Sequence, residues 1–232
     1  MKILCLNTED ASTNPQKLRD FLVNNTNVID IFCLQEVFEK METLSKEILP
    51  NYNVYREKKR INENGDLKYS LAIFIRKDIQ VIGSKSFGED NPKIGAILST
   101  NLIYNNKPLT IFNVHGVCYP SHKMDCPERL EQSKILIDSL NIVGGSQIVV
   151  GDFNLYPNTE SIKTFEENGY KDLIKECNIK NTRNNIAWKR YPDNKQFYSD
   201  YAFVTPDIKV LNFDVPYNEV SDHLPLILDV DF

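Results

Sequence analysis

Short apolar runs alternate with amphipathic stretches along the first part of the chain. The runs Lys2–Asn7 and Ile29–Gln35 each predict a buried strand. Between them, Pro15 to about Asn24 predicts a helix, because Pro is favoured in a first helical turn and apolar residues follow at helical spacing. Phe38–Ile48 predicts a second helix, which Pro50 stops. This part of the chain therefore predicts strands and helices in alternation.

The middle and C-terminal parts predict mostly strands, separated by polar turns. The predicted strands are Tyr52–Arg56, Ser70–Arg76, Gln80–Gly83, Ala96–Tyr104, Leu109–His115, Gln147–Gly151, Ser199–Thr205, Ile208–Phe213 and Pro225–Asp231. Helices are predicted at about Pro127–Leu140 and Thr159–Asn168, and Gly169 is placed to end the second one. Consecutive and helix-separated strands together favour mixed sheets covered by helices, a layered α/β arrangement.

Length and composition are those of an ordinary globular protein. With 232 residues, 41% hydrophobic and 25% charged, we expect residues 1–232 to form a single domain. The formal net charge of -5 argues against affinity for nucleic acid through a broad basic surface. Local contacts to a few phosphates remain compatible with that charge, since a bound divalent cation can be the largest local charge in an acidic site.

The five cysteines indicate a reducing compartment, because their number is odd and two of them lie in apolar runs. Cys5 and Cys33 are expected to be small core residues. The first strand begins almost at Met1, and no run is long and apolar enough to be a signal segment or a membrane span. We therefore expect a cytoplasmic protein, with no obligate protein partner evident.

Polar residues follow several of the buried runs. Glu36 stands at the end of a predicted strand, where alternation turns it away from Gln35 and into a cleft; the alternative is an exposed charge at a strand end. Asp152 and Asn154 fall on one face by period-two geometry, although Gly, Asp and Asn also form turns. A carboxylate and an amide so placed can orient water and contact a phosphoryl oxygen.

Asp222 and His223 put a carboxylate beside an imidazole just before the last predicted strand. Histidine is suited to stabilise or protonate developing negative charge near neutral pH, and it does so best when a second carboxylate orients its other nitrogen. Asp200 is the candidate, because a charge within so apolar a strand is costly unless it is paired. The alternative is an edge strand on which Asp200 faces water.

Five polar motifs follow one another along nearly the whole chain: Asn7, Gln35-Glu36, Gly151-Asp152-Phe153-Asn154, Asp200-Tyr201 and Ser221-Asp222-His223. In this order they resemble the endonuclease/exonuclease/phosphatase superfamily, the metal-dependent hydrolases of phosphate esters. The resemblance implies a DNase I-like α/β fold, a four-layer α/β/β/α sandwich of two mixed β-sheets flanked by helices.

The resemblance also implies roles for these residues. Glu36 would hold the metal with support from Asn7, and Glu9 and Asp222 would assist. Asp152 would align or deprotonate the water, and Asn154 would contact the phosphate. The remaining implied roles concern histidines: His223, oriented by Asp200, would stabilise the charge of the pentacovalent phosphorus, and His115 is similar to the second active-site histidine of the DNase I-like and sphingomyelinase-like branches.

Other polar residues have both a functional and a structural interpretation. His115, Cys118, His122 and Cys126 could form a zinc site, although their spacing matches no common finger; otherwise the last three belong to a loop over the cleft. Arg129 reaches the substrate or is solvated. The segment from Arg183 through Trp188 to Tyr191 is expected to be a loop that stacks bases and contacts phosphates, or a packed Trp among surface charges. The basic run Arg56–Arg60 is typical of a solvated surface.

These observations predict a Mg²⁺-dependent phosphodiester hydrolase, with Mn²⁺ as a substitute ion and nucleic acid as the expected substrate, that is, a nuclease. Two alternatives stay open. One is a phosphatase or phosphodiesterase of small-molecule or lipid phosphates, of the inositol-phosphate or sphingomyelinase-like kind. The other is a catalytically silent binding module, which has no physical reason to keep so costly an acidic cluster.

Overall fold

The computed structural model of the chain describes residues 1–57, 60–61, 67–89, 91 and 94–231. The strands are β1 (Lys2–Asn7), β2 (Ile31–Gln35), β3 (Tyr52–Arg56), β4 (Arg60–Ile61), β5 (Leu67–Tyr69), β6 (Leu71–Arg76), β7 (Gln80–Phe87), β8 (Ala96–Tyr104), β9 (Lys107–His115), β10 (Ser146–Asp152), β11 (Lys171–Asp172), β12 (Asp200–Val204), β13 (Lys209–Asp214) and β14 (Leu226–Asp231). The helices are α1 (Pro15–Asn25), α2 (Glu39–Ile48), α3 (Pro127–Val143), α4 (Glu160–Glu167), α5 (Leu173–Glu176) and α6 (Asn185–Arg190), with a 3-10 turn at Glu9–Ala11.

Twelve of these strands form two six-stranded mixed sheets. The first sheet has the order β13-β14-β1-β2-β6-β3, and the second has the order β11-β12-β10-β9-β8-β7. Each contains one parallel pair, β1 with β2 and β9 with β10, and its other neighbours are antiparallel. The parallel pairs matter most for the site, because parallel neighbours bring two carboxyl ends to the same edge of a sheet.

The two sheets pack face to face, with β1 and β2 against β9 and β10. Ile3, Cys5 and Cys33 of the first sheet belong to the same buried apolar cluster as the residues of the second sheet, which confirms the core role expected for both cysteines. Helices α1 and α2 cover the outer face of the first sheet, and α3 and α4 cover the second. The predicted arrangement of two mixed sheets flanked by helices is therefore confirmed.

Buried amide hydrogen bonds join the sheets near the ends of the parallel pairs. The Nε2 of Gln35 donates to Oδ1 of Asn113 at 2.6 Å, and Nδ2 of Asn113 donates to the carbonyl oxygens of Leu34 and Ala72. A hydrogen bond between buried amides fixes the relative position of two surfaces, because any slip would leave polar groups unsatisfied. Gln35 thus aligns the strand ends that carry the site.

Most predicted elements lie where the pattern placed them, with a few differences. Gly169 follows α4 with φ 87°, the left-handed conformation that suits a residue after a helix. The predicted strand Gln80–Gly83 continues to Phe87 as β7. The segment from Arg183 to Tyr191, expected to be a loop, contains α6, whose first turn is capped by Asn184 Oδ1 accepting from the Ile186 N–H.

Residues 58–59 of the basic run Arg56–Arg60 lie outside the described residues. Across the described ranges, no helix has the length and apolar character needed to cross a membrane.

Candidate active site

The sheet registers bring the predicted polar residues to one end of the molecule. Asn7 pairs with Gln35 at the ends of β1 and β2, and Asp152 pairs with His115 at the ends of β10 and β9. Asp152 also lies opposite Asp200, the first residue of β12. β12 is an interior strand between β11 and β10, and Asp200 is buried, so the alternative of an edge strand with Asp200 facing water is wrong.

Asp152 lies at the centre of this cluster. Its Oδ2 accepts a hydrogen bond from Nδ2 of Asn7 at 3.1 Å. The same oxygen lies 3.6 Å from Nε2 of His223 and 3.8 Å from Nε2 of His115. Its Oδ1 instead accepts from the Ser199 hydroxyl at 2.6 Å and from the Asn154 N–H at 3.0 Å. One carboxylate oxygen is thus held by the scaffold, and the other faces both histidines.

His223 has the carboxylate partner that the sequence predicted. Both oxygens of Asp200 lie within hydrogen-bond distance of His223 Nδ1, at 2.9 and 3.0 Å. This contact holds the ring so that Nε2 points toward Oδ2 of Asp152. A carboxylate on one imidazole nitrogen fixes the orientation and increases the basicity of the ring.

Arg183 contacts His223 at Nε2, the ring nitrogen that does not face Asp200. Its Nη1 lies 2.6 Å from Nε2 of His223, and its Nη2 donates to Oδ2 of Asp222 at 2.5 Å. Asp222 Oδ1 is buried and has no hydrogen-bond donor within the described part of the chain. Arg183 therefore contacts two of the predicted site residues directly and lines the same pocket.

Glu36 and Glu9 form the acidic wall next to Asn7. Nδ2 of Asn7 donates to Oε1 of Glu36 at 3.1 Å, while Oδ1 of Asn7 accepts from the Glu9 N–H. Because its side-chain oxygen accepts from Glu9, the Asn7 amide turns its N–H group toward the carboxylates of Glu36 and Asp152, and so it orients Glu36. Glu9 forms a short ion pair with Arg190, and Glu9 Oε2 accepts from the Asp222 N–H at 3.3 Å.

Three of these residues adopt the left-handed backbone conformation, which is uncommon outside glycine. The φ angle is 48° at Glu9, and it is 55° at both Glu36 and Asn154. For a Glu this conformation costs about 1–2 kcal/mol, and residues held in sparsely populated conformations cluster at functional sites. At Asn154 it also ends the strand alternation: β10 stops at Asp152, so the predicted period-two relation between Asp152 and Asn154 is wrong, although both line the pocket.

The cluster perturbs the ionisation of its own members. Burial raises the pKa of Asp152, but the positive charges of His223 and Lys123 outweigh it and hold that pKa well below its usual range. Burial and the Arg183 guanidinium lower the pKa of His223, and the surrounding carboxylates, Asp200 first among them, outweigh both and raise it. The surrounding charges thus lower the pKa of Asp152 and raise that of His223.

These groups line a pocket of about 490 Å³, a size in the range of small-molecule sites. The acidic, basic and histidine residues of its lining are Glu9, Glu36, His115, Lys123, Asp152, Arg183, Arg190, Asp222 and His223. Tyr119 and Tyr191 also line it and are 76% and 59% exposed, so two aromatic rings stand at the solvent side of the pocket.

Two predicted substrate residues lie outside this lining. Arg129 is buried, and its guanidinium donates to backbone carbonyls of the loop before α3, including those of Met124 and Pro120, both at 2.6 Å. It is neither solvated nor placed to reach a ligand, because its donors are used within the loop. Trp188 packs on Phe197 with ring centroids 5.2 Å apart and donates from Nε1 to the Gln196 carbonyl, so its indole ring faces the protein.

Lys123 and Ser199 are site residues that the sequence did not indicate. Lys123 is buried and lines the pocket, and its Nζ lies 2.6 Å from the Ser199 hydroxyl that donates to Asp152. Lys123 lies in a polar loop without periodicity, and Ser199 is one small residue before a strand. No local signal distinguishes either from surface residues of the same type.

One group in the described ranges has the spacing of a metal site: Asp152, Asp200 and His223 each offer a ligand atom, and these atoms lie within 4.8 Å of one another. Since no group combining His115 with Cys118, His122 and Cys126 has that spacing among the described residues, the zinc alternative is not formed. The hydrogen bond of His223 Nδ1 to Asp200 makes that pair a carboxylate–imidazole dyad.

Two mixed sheets, helices on both outer faces and a carboxylate–histidine cluster at the strand ends define a DNase I-like α/β sandwich. The model of the family described as "Endonuclease/Exonuclease/phosphatase family" matches residues 5–223, so the chain belongs to this family. No curated protein sequence matches it.

Several solved structures share the fold. An endonuclease/exonuclease/phosphatase from Bacteroides vulgatus is 20% identical and has a TM-score of 0.78, with 99% of this chain and 98% of the other covered. A mannosyl-6-phosphatase from Bacteroides thetaiotaomicron is 18% identical over all of both chains, with a TM-score of 0.74. TDP2 from D. rerio, complexed with a single-strand DNA product, is 16% identical with a TM-score of 0.76 and covers 100% of this chain and 99% of its own.

Proposed function

We propose that this chain is a divalent-metal-dependent phosphodiesterase that hydrolyses nucleic acid, with Asp152 activating the attacking water. The observation that carries the proposal is the environment of Asp152 Oδ2, which faces Asn7, His115 and His223 in a pocket with further carboxylates on its wall. A carboxylate whose Oδ1 is held by two donors, and whose Oδ2 accepts a single hydrogen bond from Asn7, is arranged to accept a proton from water at Oδ2.

The residues present fit a hard divalent cation. Glu36 and Asp222 offer carboxylate oxygens, and the buried Oδ1 of Asp222 has no hydrogen-bond donor in the described residues. Glu9 adds a third carboxylate, which accepts from the Asp222 N–H and is ion-paired with Arg190. Among the described residues these three carboxylates do not form a group at metal-ligand spacing, so an ion held here would keep most of its waters. Mg²⁺ prefers such oxygen ligands, Mn²⁺ accepts them as well, and one or two carboxylates suffice because Mg²⁺ keeps several waters. When bound, the ion would supply charge neutralisation at the phosphoryl oxygens.

The chain's own residues would then divide the work. Asn7 holds Glu36, which would bind the ion, and Asp152 would take a proton from the attacking water. His223, held by Asp200, and Arg183, whose Nη1 lies 2.6 Å from His223 Nε2, would face the charge that develops on phosphorus. His115 Nε2 lies 3.8 Å from Asp152 Oδ2. Donors placed where charge develops stabilise the transition state more than the ground state.

Exposed aromatic rings at the mouth of the pocket support nucleic acid as the proposed substrate. Tyr119 and Tyr191 offer exposed rings for a base. Arg190 lines the same pocket and is ion-paired with Glu9, so a substrate phosphate would have to compete with that carboxylate. Such local contacts suit a chain of net charge -5, because it lacks the excess of positive charge that broad electrostatic binding of nucleic acid requires. The DNA product in the D. rerio TDP2 structure supports the same substrate class.

A second candidate is hydrolysis of a small phosphate ester. The pocket is a concave volume of about 490 Å³, whose size suits a compact ligand as well as a strand end. The mannosyl-6-phosphatase from Bacteroides thetaiotaomicron, similar over its whole length, supports this alternative. A cytoplasmic location, a single domain and the lack of an obligate protein partner stay predictions.

The test is Mg²⁺-dependent hydrolysis of plasmid DNA, single-stranded RNA, bis-p-nitrophenyl phosphate and a sugar phosphate, with Asp152→Asn measured alongside. Cleavage of nucleic acid that disappears in the variant supports the nuclease. Release of phosphate from the sugar phosphate alone assigns the second candidate. Equal cleavage by the variant indicates a contaminating nuclease, and no hydrolysis of any substrate contradicts the proposed function.

A further inference from the structure

A buried ammonium group lies beside the centre of the candidate active site. Lys123 is 4% exposed, although it belongs to the loop between β9 and α3, and it lines the pocket. Removing an ammonium group from water costs several kcal/mol unless hydrogen bonds and opposite charges compensate. The partners of Lys123 therefore indicate why the charge is there.

Those partners form a chain of hydrogen bonds that ends on Asp152. Nζ of Lys123 lies 2.6 Å from Oγ of Ser199, and Oγ of Ser199 lies 2.6 Å from Oδ1 of Asp152. A serine hydroxyl has one proton, and an ammonium group can only donate. The hydroxyl must therefore accept from Lys123 and donate to Asp152, so the donors run in one direction toward the carboxylate.

This chain of hydrogen bonds gives the two oxygens of Asp152 different partners. Oδ1 receives the Ser199 hydroxyl and the Asn154 N–H, whereas Oδ2 faces Asn7 and both histidines. Turning the carboxylate about its Cβ–Cγ bond would break both bonds to Oδ1. The backbone supports the same geometry, since the Phe153 and Asn154 N–H groups both donate to the Ser199 carbonyl.

We propose that Lys123 is a positioning residue for the hydrolysis: it polarises the Ser199 hydroxyl and thereby holds Asp152 with Oδ2 directed at the reaction centre. This inference rests on the proposed function, in which Asp152 accepts the proton of water. The competing interpretation is a direct contact of the ammonium group with the substrate phosphate, which the position of Lys123 on the pocket wall also permits.

Four proteins separate these two roles: the wild type, Lys123→Met, Ser199→Ala and the double variant, each assayed with bis-p-nitrophenyl phosphate and Mg²⁺. A positioning role predicts that each single substitution lowers kcat by about 10–100-fold, as loss of a supporting hydrogen bond does, with KM little changed. The double variant should be no slower than the slower single variant, because both substitutions break the same chain.

Direct contact with the phosphate predicts a different pattern. Lys123→Met would then raise KM, and it would do so by the same factor in the Ser199→Ala background. That result, or independent effects of the two substitutions on kcat, would overturn the proposal. Lys123→Arg keeps the charge and the donor and should recover part of kcat. Lys163, an exposed lysine paired with Glu160, provides the matched control Lys163→Met, which should leave kcat and KM unchanged.

Urea unfolding of the same four proteins tests the Lys123–Ser199–Asp152 hydrogen bonds without a substrate. If the hydrogen bonds form as described, the two substitutions shift the unfolding midpoint non-additively. Additive midpoint shifts would contradict the link between Lys123 and Ser199 even if the wild type hydrolyses none of the phosphate esters. Should Lys123→Met fail to fold, Ser199→Ala and Lys123→Arg still decide the question, because the first breaks the link and the second keeps it.

Discussion

Asp200 places both of its carboxylate oxygens against Nδ1 of His223, at 2.9 and 3.0 Å. Both residues are buried, and no solvent competes for the contact. The ring is held with Nε2 only 3.6 Å from Oδ2 of Asp152. This dyad thus decides where the imidazole stands relative to the carboxylate that is proposed to activate water.

Asp200→Asn should weaken both the orientation and the basicity of His223. Because the Asp200 carboxylate raises the pKa of His223, its loss should lower that pKa, and kcat should fall by about 100-fold or more. The chain has three histidines, so their ring protons can be assigned and titrated by NMR. An unchanged pKa of His223 together with full activity would contradict the dyad.

Asp152→Asn should abolish hydrolysis while the fold persists. The amide keeps the shape of the side chain but cannot accept the proton of water, and removal of a general base costs about 10²–10⁴-fold in rate. Circular dichroism and the urea midpoint would report the fold, and kcat the chemistry. Activity within tenfold of the wild type in a folded variant would exclude Asp152 as the base.

Chelation by EDTA should silence the protein, and Mg²⁺ or Mn²⁺ should restore it. Glu36→Gln replaces a charged oxygen ligand and should raise the Mg²⁺ concentration needed for half-maximal activity by about 10–100-fold. A second readout avoids activity: Mg²⁺ should raise Tm in the wild type and much less in Glu36→Gln. Equal Tm shifts in both proteins would place the ion elsewhere.

Arg129→Met should destabilise the fold without changing KM. The guanidinium donates to several backbone carbonyls of the loop before α3, and leaving buried acceptors without donors costs about 1–3 kcal/mol for each one. Urea unfolding should show the loss, with Arg19→Met as the control at an exposed arginine. A stable variant with a raised KM would return Arg129 to the substrate contact predicted from the sequence.

Lys123 should make stability depend on pH in an unusual direction. Burial lowers the pKa of Lys123 to about 8, below its usual value of 10.5. Between these pH values the unfolded chain keeps a proton that the folded chain has released, so the free energy of unfolding should rise with pH, by on the order of 3 kcal/mol in total. Lys123→Met should lack this rise.

The difference in the free energy of unfolding between the wild type and Lys123→Met, measured by urea unfolding at pH 7.5 and at pH 10.5, tests that prediction. Buried tyrosines contribute the opposite slope in both proteins, since burial raises the pKa of Tyr52 and of Tyr170 to about 12. Their contribution cancels in the difference. A difference independent of pH would show that the Lys123 ammonium group is not desolvated.

Sequence patterns succeeded where a local rule governs the structure. The apolar run before Asp152 is β10, and Asp200 is paired inside a buried strand, as the cost of an unpaired buried charge required. They were less informative for short or irregular segments. Helix α6 has six residues, too few for helical periodicity to show, and its Trp188 faces inward. Arg129 was misjudged because its partners are carbonyls of a loop without a pattern of its own.

By itself the sequence determined the order of the longer strands and helices, the buried runs and the polar residues that end them, because these depend on the spacing of neighbouring side chains. Only the tertiary structure decided which of those residues meet. Asn7 contacts Asp152 across 145 positions because two parallel pairs of strands are aligned face to face. Ser199, just before β12, joins that cluster through strand register and sheet packing, and Lys123 reaches it from the loop between β9 and α3; no local pattern specifies either contact.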